Sequence, residues 1–329
     1  QRGGMTLKAI VVRQSGGPDE LLYKETELPE IKENQVLIKT MATSVNYADV
    51  KMRNGTYPGS IRYPFTPGLD VCGVVTKTGK GVQHVKKGQH VIAFPANGSY
   101  AEYVVANESV TFPIPEHINF TEAAAFPIAG FVAYELIYQV ARLKKGESLL
   151  VHAASGGVGS TVIQMAQLAG CDSIIAVTGS EHKKQHVKNI GAHQSIDYKQ
   201  EQLDERVMEL TDGKGVDVIL DSIGGDMFKK NMRCLAPFGR LVYFGNADQK
   251  KAQLDIDELY PSGRAVIGYS FGAIRKKRPE LIKRTAANVI PFLSEGKIKM
   301  NVSKTFSLDE ANKAHQYMES RESTGKIVL

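Results

Sequence analysis

The chain has little with which to build a cross-linked or metal-stapled protein. Its three cysteines, Cys72, Cys171 and Cys234, lie far apart among 329 residues. That spacing excludes a disulfide framework, fits a reducing compartment and leaves too few thiols for a four-cysteine zinc lobe. No apolar run approaches bilayer-spanning length and no signal peptide is evident, so the expectation is a cytoplasmic protein without a membrane partner. Repeats and low-complexity segments are missing too. A large excess of either charge is missing as well: the net charge is only +6. Its densest cluster, Arg275-Lys276-Lys277-Arg278, has no interleaved aromatics and reads as a solvated loop rather than a nucleic-acid site. Gln1-Arg2-Gly3-Gly4 before Met5 reads as an expression scar.

What is present centres on Ser148-Leu149-Leu150-Val151-His152-Ala153-Ala154-Ser155-Gly156-Gly157-Val158-Gly159. An aliphatic run ends in small residues, and Val162 to Leu168 follow at helical spacing. The pattern is strand, tight turn, helix, the opening of a dinucleotide-binding βαβ unit. Gly156 would let the backbone approach a pyrophosphate, Gly159 would let helix and strand pack closely, and the helix start attracts phosphate. Ala154 occupies the first-glycine position, so a turn that serves only packing is the alternative at this point.

Short strands with Gly/Pro turns fill the first third: Lys8–Val12, Val36–Thr40, Val71–Thr76, His90–Phe94 and Tyr100–Val105, with a helix-like segment over 44–53. A helix capped at Asn119 or Thr121 follows, then another over Phe131–Val140. From Ser148 onward strands and helices alternate. Strands are expected at 173–177, 194–197, 216–221, 240–244 and 265–269, with helices at 181–189, 202–210 and 227–235. Helices follow Pro279, and Lys326–Leu329 is a closing strand that returns to the β-rich part. The fold class is therefore α/β: a doubly wound parallel (Rossmann) sheet domain over 128–274, and a β-rich domain over 5–127 and 275–329.

A dinucleotide fold that prefers NADH carries an acid about 20 residues past the glycines. Here the strand Ile174–Val177 ends in neutral Thr178-Gly179-Ser180, with Lys183 and Lys184 in the next turn. A carboxylate would repel a 2′-phosphate, so its absence favours NADPH. Glu181 stands close by, and surface lysines on an amphipathic helix are the alternative.

The chain resembles the quinone oxidoreductase (zeta-crystallin-like) branch of the zinc-independent medium-chain dehydrogenase/reductase superfamily from Lys8 to Leu329. The likeness rests on Val45-Asn46-Tyr47-Ala48-Asp49, Arg53 to Pro58, Pro67 to Val75, His152 to Gly159, Asp221-Ser222-Ile223-Gly224, Phe244-Gly245-Asn246 and Ser320-Arg321. The resemblance implies a GroES-like β-rich domain. It places Ser155, Gly156, Gly157 and Val158 on the pyrophosphate, and Gly179, Ser180, Lys183 and Tyr198 around the 2′-phosphate. Ser222, Phe244, Gly245 and Asn246 would line the ribose and nicotinamide half. Asn46 and Tyr47 would approach the nicotinamide from the other domain, Lys326 would reach the cofactor, and the protein would be a homodimer. The chain departs from the family at Val132, at Lys51 and near Ser270, where a threonine, a tyrosine and an arginine are usual. Those departures bear on the substrate.

Zinc-dependent relatives bind metal where this chain has Asn46 and Leu69-Asp70, so no metal ligand set is expected. The histidines show no ligand spacing, His182 and His186 on one helix included. Metal-free hydride transfer suits acceptors that stabilise negative charge themselves. The leading expectation is an NADPH-dependent quinone oxidoreductase. A reductase of activated C=C bonds (alkenal, enone or enoyl thioester) is the alternative, and a non-catalytic NADPH- or RNA-binding protein the third reading. Tyr57 is the candidate phenol for the acceptor oxygen, or else a packing residue. Asn46 orients carboxamide or substrate, or else stabilises a turn, and Asp49 reads as a structural cap or salt-bridge partner rather than a base.

Overall fold

The computed structural model describes residues 4–329; Gln1-Arg2-Gly3 of the expected expression scar lie outside them. The chain divides into two compact units, one running to Ala129 and resuming over Pro279–Leu329, the other Gly130–Arg278. Strands β1 (Thr6–Val11) and β2 (Leu22–Glu27) pair antiparallel. Then follow β3 (Gln35–Val45), helix α1 (Tyr47–Asn54), β4 (Val71–Thr78), β5 (His90–Ala93), β6 (Tyr103–Asn107), β7 (Thr111–Pro113) and α2 (Phe120–Ala125). Asn119 caps α2 by accepting the Glu122 N–H at 2.7 Å.

The second unit opens in α3 (Pro127–Tyr134), whose last turns widen to a π-helix over Glu135–Val140. It continues β8 (Ser148–Val151), α4 (Gly157–Leu168), β9 (Ser173–Thr178), α5 (Glu181–Asn189), β10 (Gln194–Asp197), α6 (Leu203–Leu210) and β11 (Val216–Asp221). It closes with α7 (Asp226–Cys234), β12 (Leu235–Tyr243), α8 (Leu259–Ser262), β13 (Ala265–Gly268) and α9 (Phe271–Lys277). The chain then returns to the first unit as α10 (Glu280–Ser294), β14 (Val302–Thr305), α11 (Ala311–Glu319) and β15 (Lys326–Val328).

The second unit's sheet has the order β10-β9-β8-β11-β12-β13, all parallel. This is the doubly wound order, whose reversal between β8 and β11 opens a ligand crevice at the strands' carboxyl ends. Leu149–Val151, Ile174–Val177 and Val218–Leu220 are buried on both faces, which is why these strands read as unbroken apolar runs. The first unit's sheet runs β14-β15-β3-β4-β5-β7, with β6 also on β3. Val36, Ile38, Val71, Val75, Val91 and Val104 form its core.

Several expectations are corrected. Ser44 and Val45 belong to β3, not to a helix, because both are buried and paired with β15. Strand β2 went unread because its residues are only half-buried on one face and charged between. Strand β12 begins at Leu235, ahead of the expected Arg240, and the helix expected at Phe131 begins at Pro127. Arg275–Lys277 form the last turn of α9 rather than a loop, where cations meet the negative end of the helix dipole.

Candidate active site

In the glycine-rich turn, Gly156 donates its N–H to Ala153 O at 3.1 Å and precedes the first turn of α4. A Cβ on Gly159 would lie 2.4 Å from Ala153 O and 2.7 Å from Ala154 Cα, so only glycine lets α4 seat on β8. A Cβ on Gly156 would meet only Ala153 O, at 3.4 Å, so that side of the turn stands open. Ala153 takes the left-handed conformation, with φ 47°. Ala154, in the glycine slot, is buried and donates to Val177 O at 3.1 Å. Ser155 is buried beside it, and Gly157 and Val158 are half-buried.

At the tip of β9, Ser180 caps α5 by accepting the Lys183 N–H at 3.3 Å. Tyr198 packs against Gly179, where an added Cβ would lie 3.3 Å from its ring. Gly179, Ser180, Lys183 and Tyr198 are thus gathered at one strand tip. Lys184 Nζ lies 3.6 Å from Glu181 and 3.4 Å from Glu201, so the nearby acid is paired with that lysine.

The ends of β11 and β12 bring the third group together. Phe244 donates its N–H to Asp221 O at 3.0 Å, and Ala247 donates to Ser222 O at 3.1 Å. Gly245 faces Ser222, 3.0 Å from Ser222 O for an added Cβ. Asn246 Oδ1 is buried without a hydrogen-bond partner. Asp221 and His152, which sequence reasoning assigned no role, underlie this edge. Asp221 Oδ1 accepts the N–H groups of Ile223 and Gly224 at 2.9 and 3.0 Å, and His152 Nε2 lies 2.6 Å from Asn231 Oδ1. Burial pulls the His152 imidazole below its ordinary pKa, against the pull of Asp221. The open turn and the orphaned Asn246 oxygen fit a dinucleotide, one offering room for a pyrophosphate and the other an acceptor for an amide.

In the first unit the register of three strands builds a second cluster. Ile327 stands opposite Val45 across β15 and β3, which sets Lys326 beside Asn46. Thr43 stands opposite Val71 across β3 and β4, which sets Asp70 beside Ser44. Lys326 Nζ donates to Asn46 Oδ1 at 2.7 Å and to Val45 O at 3.2 Å. Asn46 Nδ2 donates to Asp70 Oδ1 at 3.1 Å, and Ser44 Oγ donates to the same oxygen at 2.7 Å. Asp49 Oδ2 accepts the Asn46 N–H at 2.9 Å, the capping role expected of it. Burial pushes Asp70 up and Lys326 down, each partly offset by the other. Lys326 therefore orients Asn46, whose amide is held at both ends. The same pattern hid Asp70 from the sequence reading, which weighed it only as a missing zinc ligand. Tyr47 is 46 % exposed, with Lys51 Nζ 5.5 Å above its ring. Tyr57 is half-buried on the loop after α1, and no hydrogen bond among the described residues ties its phenol to the Asn46 cluster. Val132 is buried in α3, and Ser270 caps α9.

Behind Asp49 lie three more buried side chains. Tyr100 Oη is 3.1 Å from Asp49 Oδ2 and 3.0 Å from His315 Nε2. Arg53 Nη1 is 2.9 Å from His315 Nδ1, and its Nη2 is 2.6 Å from Glu319 Oε1. Burial and the neighbouring Arg53 pull His315 from 6.5 to about 3. A histidine depressed in the folded state contributes stability that is present above its unfolded pKa and lost as pH falls through 6.5 towards 3. His315→Gln abolishes that loss. Urea unfolding at pH 7.5 and pH 5 should show the variant gaining about 2 kcal/mol on the wild type at the lower pH. Parallel acid losses in the two proteins would contradict this.

Sheet order, open glycine turn and strand-end groups define a two-domain dehydrogenase/reductase. Residues 32–116 match the alcohol dehydrogenase GroES-like domain family, and residues 157–287 match the zinc-binding dehydrogenase family. The chain is similar to the quinone oxidoreductase of Rattus norvegicus, at 31 % identity over 99 % of this chain and 98 % of that one. The solved structure of Escherichia coli quinone oxidoreductase complexed with NADPH superposes with a TM-score of 0.87 at 30 % identity, covering 99 % of each chain. A highly-reducing polyketide synthase of Aureobasidium melanogenum is 33 % identical over 97 % of this chain, which spans only 14 % of that protein. The chain belongs to the quinone oxidoreductase branch of the zinc-independent medium-chain dehydrogenase/reductase superfamily, and it is an oxidoreductase. No helix among the described residues is long and apolar enough to cross a membrane.

Proposed function

We propose that this oxidoreductase reduces a quinone to a hydroquinone with NADPH. The tip of β9, where Tyr198 and Lys183 flank Gly179 and Ser180, carries the cofactor choice, because the strand ends in neutral residues and Glu181, the nearby acid, is paired with Lys184. The Escherichia coli relative complexed with NADPH supports it. Ser155 to Val158 hold the pyrophosphate, and Ser222 with Phe244 to Asn246 line the nicotinamide half. When bound, the cofactor supplies a hydride from its C4. The chain's own residues hold the acceptor: the clamped Asn46 amide presents a fixed dipole, and Tyr57 offers a phenol. The quinone takes the hydride, and a proton from solvent completes the hydroquinone. Lys183→Ala should raise the KM for NADPH about tenfold and leave that for NADH unchanged, the loss of one charge-assisted contact. Equal effects on both cofactors would remove the lysine from the 2′-phosphate.

A second reading, reduction of an activated C=C bond, is favoured by the match to the polyketide synthase and by Val132, Lys51 and Ser270 in place of the usual residues. A panel of simple quinones and enones with product analysis separates the two. Hydroquinone formation supports the first, and alkene saturation without quinone turnover supports the second.

A homodimer through the second unit fits the free edge of β13 and the exposure of Phe238, Ile256 and Tyr260, at 78, 71 and 86 %. Light scattering should report a dimer that Tyr260→Glu with Phe238→Glu converts to a monomer. A monomeric wild type would end this part of the reading.

A further inference from the structure

The four buried groups behind Asn46 admit only one set of hydrogen-bond directions. Arginine donates and never accepts, so His315 Nδ1, 2.9 Å from Arg53 Nη1, carries no proton. The ring proton of the neutral imidazole then sits on Nε2 and is donated to the Tyr100 oxygen, 3.0 Å away. The phenol has one proton left to give, and it goes to Asp49 Oδ2 at 3.1 Å. The same oxygen accepts the Asn46 N–H. Arg53, His315, Tyr100 and Asp49 are each no more than 1 % exposed, and Glu319 closes the outer end on Arg53.

The chain ends asymmetrically. Asp49 Oδ1 is buried without a partner, although the other oxygen takes two hydrogen bonds. An empty Oδ1 is the place for a proton, and a proton there weakens what Oδ2 offers to Tyr100 and to Asn46. We infer that Arg53, His315 and Tyr100 form a one-way hydrogen-bond chain that sets the charge of Asp49 and, through it, the seat of Asn46, which makes His315 and Tyr100 positioning residues of the acceptor site. The last step rests on the reductase reading above; the chain itself does not.

The groups facing Asp49 come from three elements besides its own helix. Burial raises its pKa most, the Asn46 N–H lowers it, Asp70 ahead of β4 raises it, and the Tyr100 phenol and Lys326 of β15 lower it, which leaves it at about 7. His315, faced by Arg53 and Tyr100, stays neutral far below that pH, and burial with the neighbouring Asp49 keeps the Tyr100 proton in place far above it. Glu319 is engaged with Arg53. Asp49 is therefore the member that changes charge near neutrality.

The test follows the Asn46 backbone amide in protein labelled with ¹⁵N-asparagine, its peak identified by its loss in Asn46→Ser. The amide shift of the wild type should titrate with a midpoint near pH 7. Tyr100→Phe removes a donor to the carboxylate, so the midpoint should move about one pH unit upward, the worth of one hydrogen bond. His315→Leu should move it the same way. His315→Gln should restore the wild-type midpoint, because its carboxamide accepts from Arg53 and donates to Tyr100. The pH profile of kcat/KM for the quinone should shift in the same order. Midpoints unmoved in Tyr100→Phe and His315→Leu, with only a lower Tm, overturn the chain. A moving amide midpoint with a fixed kcat/KM profile overturns the positioning role. Absence of quinone turnover in the wild type defeats the quinone reading and leaves the amide titration to decide the chain.

Discussion

Gly156→Ala should leave the protein folded and strip it of NADPH, whereas Gly159→Ala should cost the fold itself. The two glycines stand three residues apart in one turn and differ in what surrounds them. A Cβ on Gly159 falls 2.4 Å from Ala153 O and 2.7 Å from Ala154 Cα, both backbone atoms that no side-chain rotation can move. Helix α4 would have to lift from β8, and its buried Val162, Ile163 and Ala166 would lose their packing. Overpacking of that kind costs about 3 kcal/mol, or roughly 10 °C in Tm for a unit of this size. Gly156 has φ −76°, which alanine adopts freely, and its Cβ would meet one atom at 3.4 Å. Gly156 is the N-cap of α4, where alanine is the poorer residue, so its substitution should cost about 1 kcal/mol, well short of the Gly159 effect. The methyl would instead stand in the opening left for the pyrophosphate and weaken NADPH by roughly 100-fold, near 3 kcal/mol. Calorimetry and a binding titration on the two variants read both effects. Equal NADPH affinity in Gly156→Ala and wild type would show that the turn serves packing only.

Lys326→Met should be among the most damaging single substitutions in the first unit. The ammonium holds Asn46 Oδ1 at 2.7 Å and lies within electrostatic reach of two fully buried acids, Asp70 and Asp49. Removing one partner of a buried charged set leaves the others uncompensated, at about 3–5 kcal/mol. Lys326→Met with Asp70→Asn removes a charge of each sign and should recover at least half of that loss, a coupling visible in a double-mutant cycle by urea unfolding. The pH dependence has a definite sign. Lys326 lowers the proton affinity of both acids, so its removal lifts their folded pKa values further above the unfolded ones. A carboxyl group raised on folding contributes stability that is present below its unfolded pKa and lost as pH rises through the folded one. The variant should therefore fall further behind the wild type between pH 5 and pH 8. A cost below about 1 kcal/mol, or a pH-independent one, would contradict the clamp.

The parallel sheet was legible because its inner strands are buried on both faces and so read as aliphatic runs. Gln194–Asp197 and Val216–Asp221 fall where the alternation of strand and helix puts them. The glycine turn was legible because its small residues have no other use at that spacing. Strand β2 was not, since Lys24 and Thr26 share its half-buried face with Leu22, and that face is defined only by its pairing with β1. The Asn46 cluster was half legible: Asn46 and Lys326 were singled out by resemblance, but only the pairing of β15 with β3 puts them in contact. Arg53 was marked only as part of a family block, and Tyr100 and His315 were given no role. They are joined across long stretches of chain, and a lone buried histidine or tyrosine looks like any other core residue until the fold closes.

The most direct measurement mixes purified protein with one equivalent of NADPH and an excess of a para-quinone, and follows nicotinamide oxidation alongside product in a single turnover. One equivalent of hydroquinone should form for each NADPH oxidised, with NADH far less effective. NADPH left unoxidised with every simple quinone tried would contradict the account.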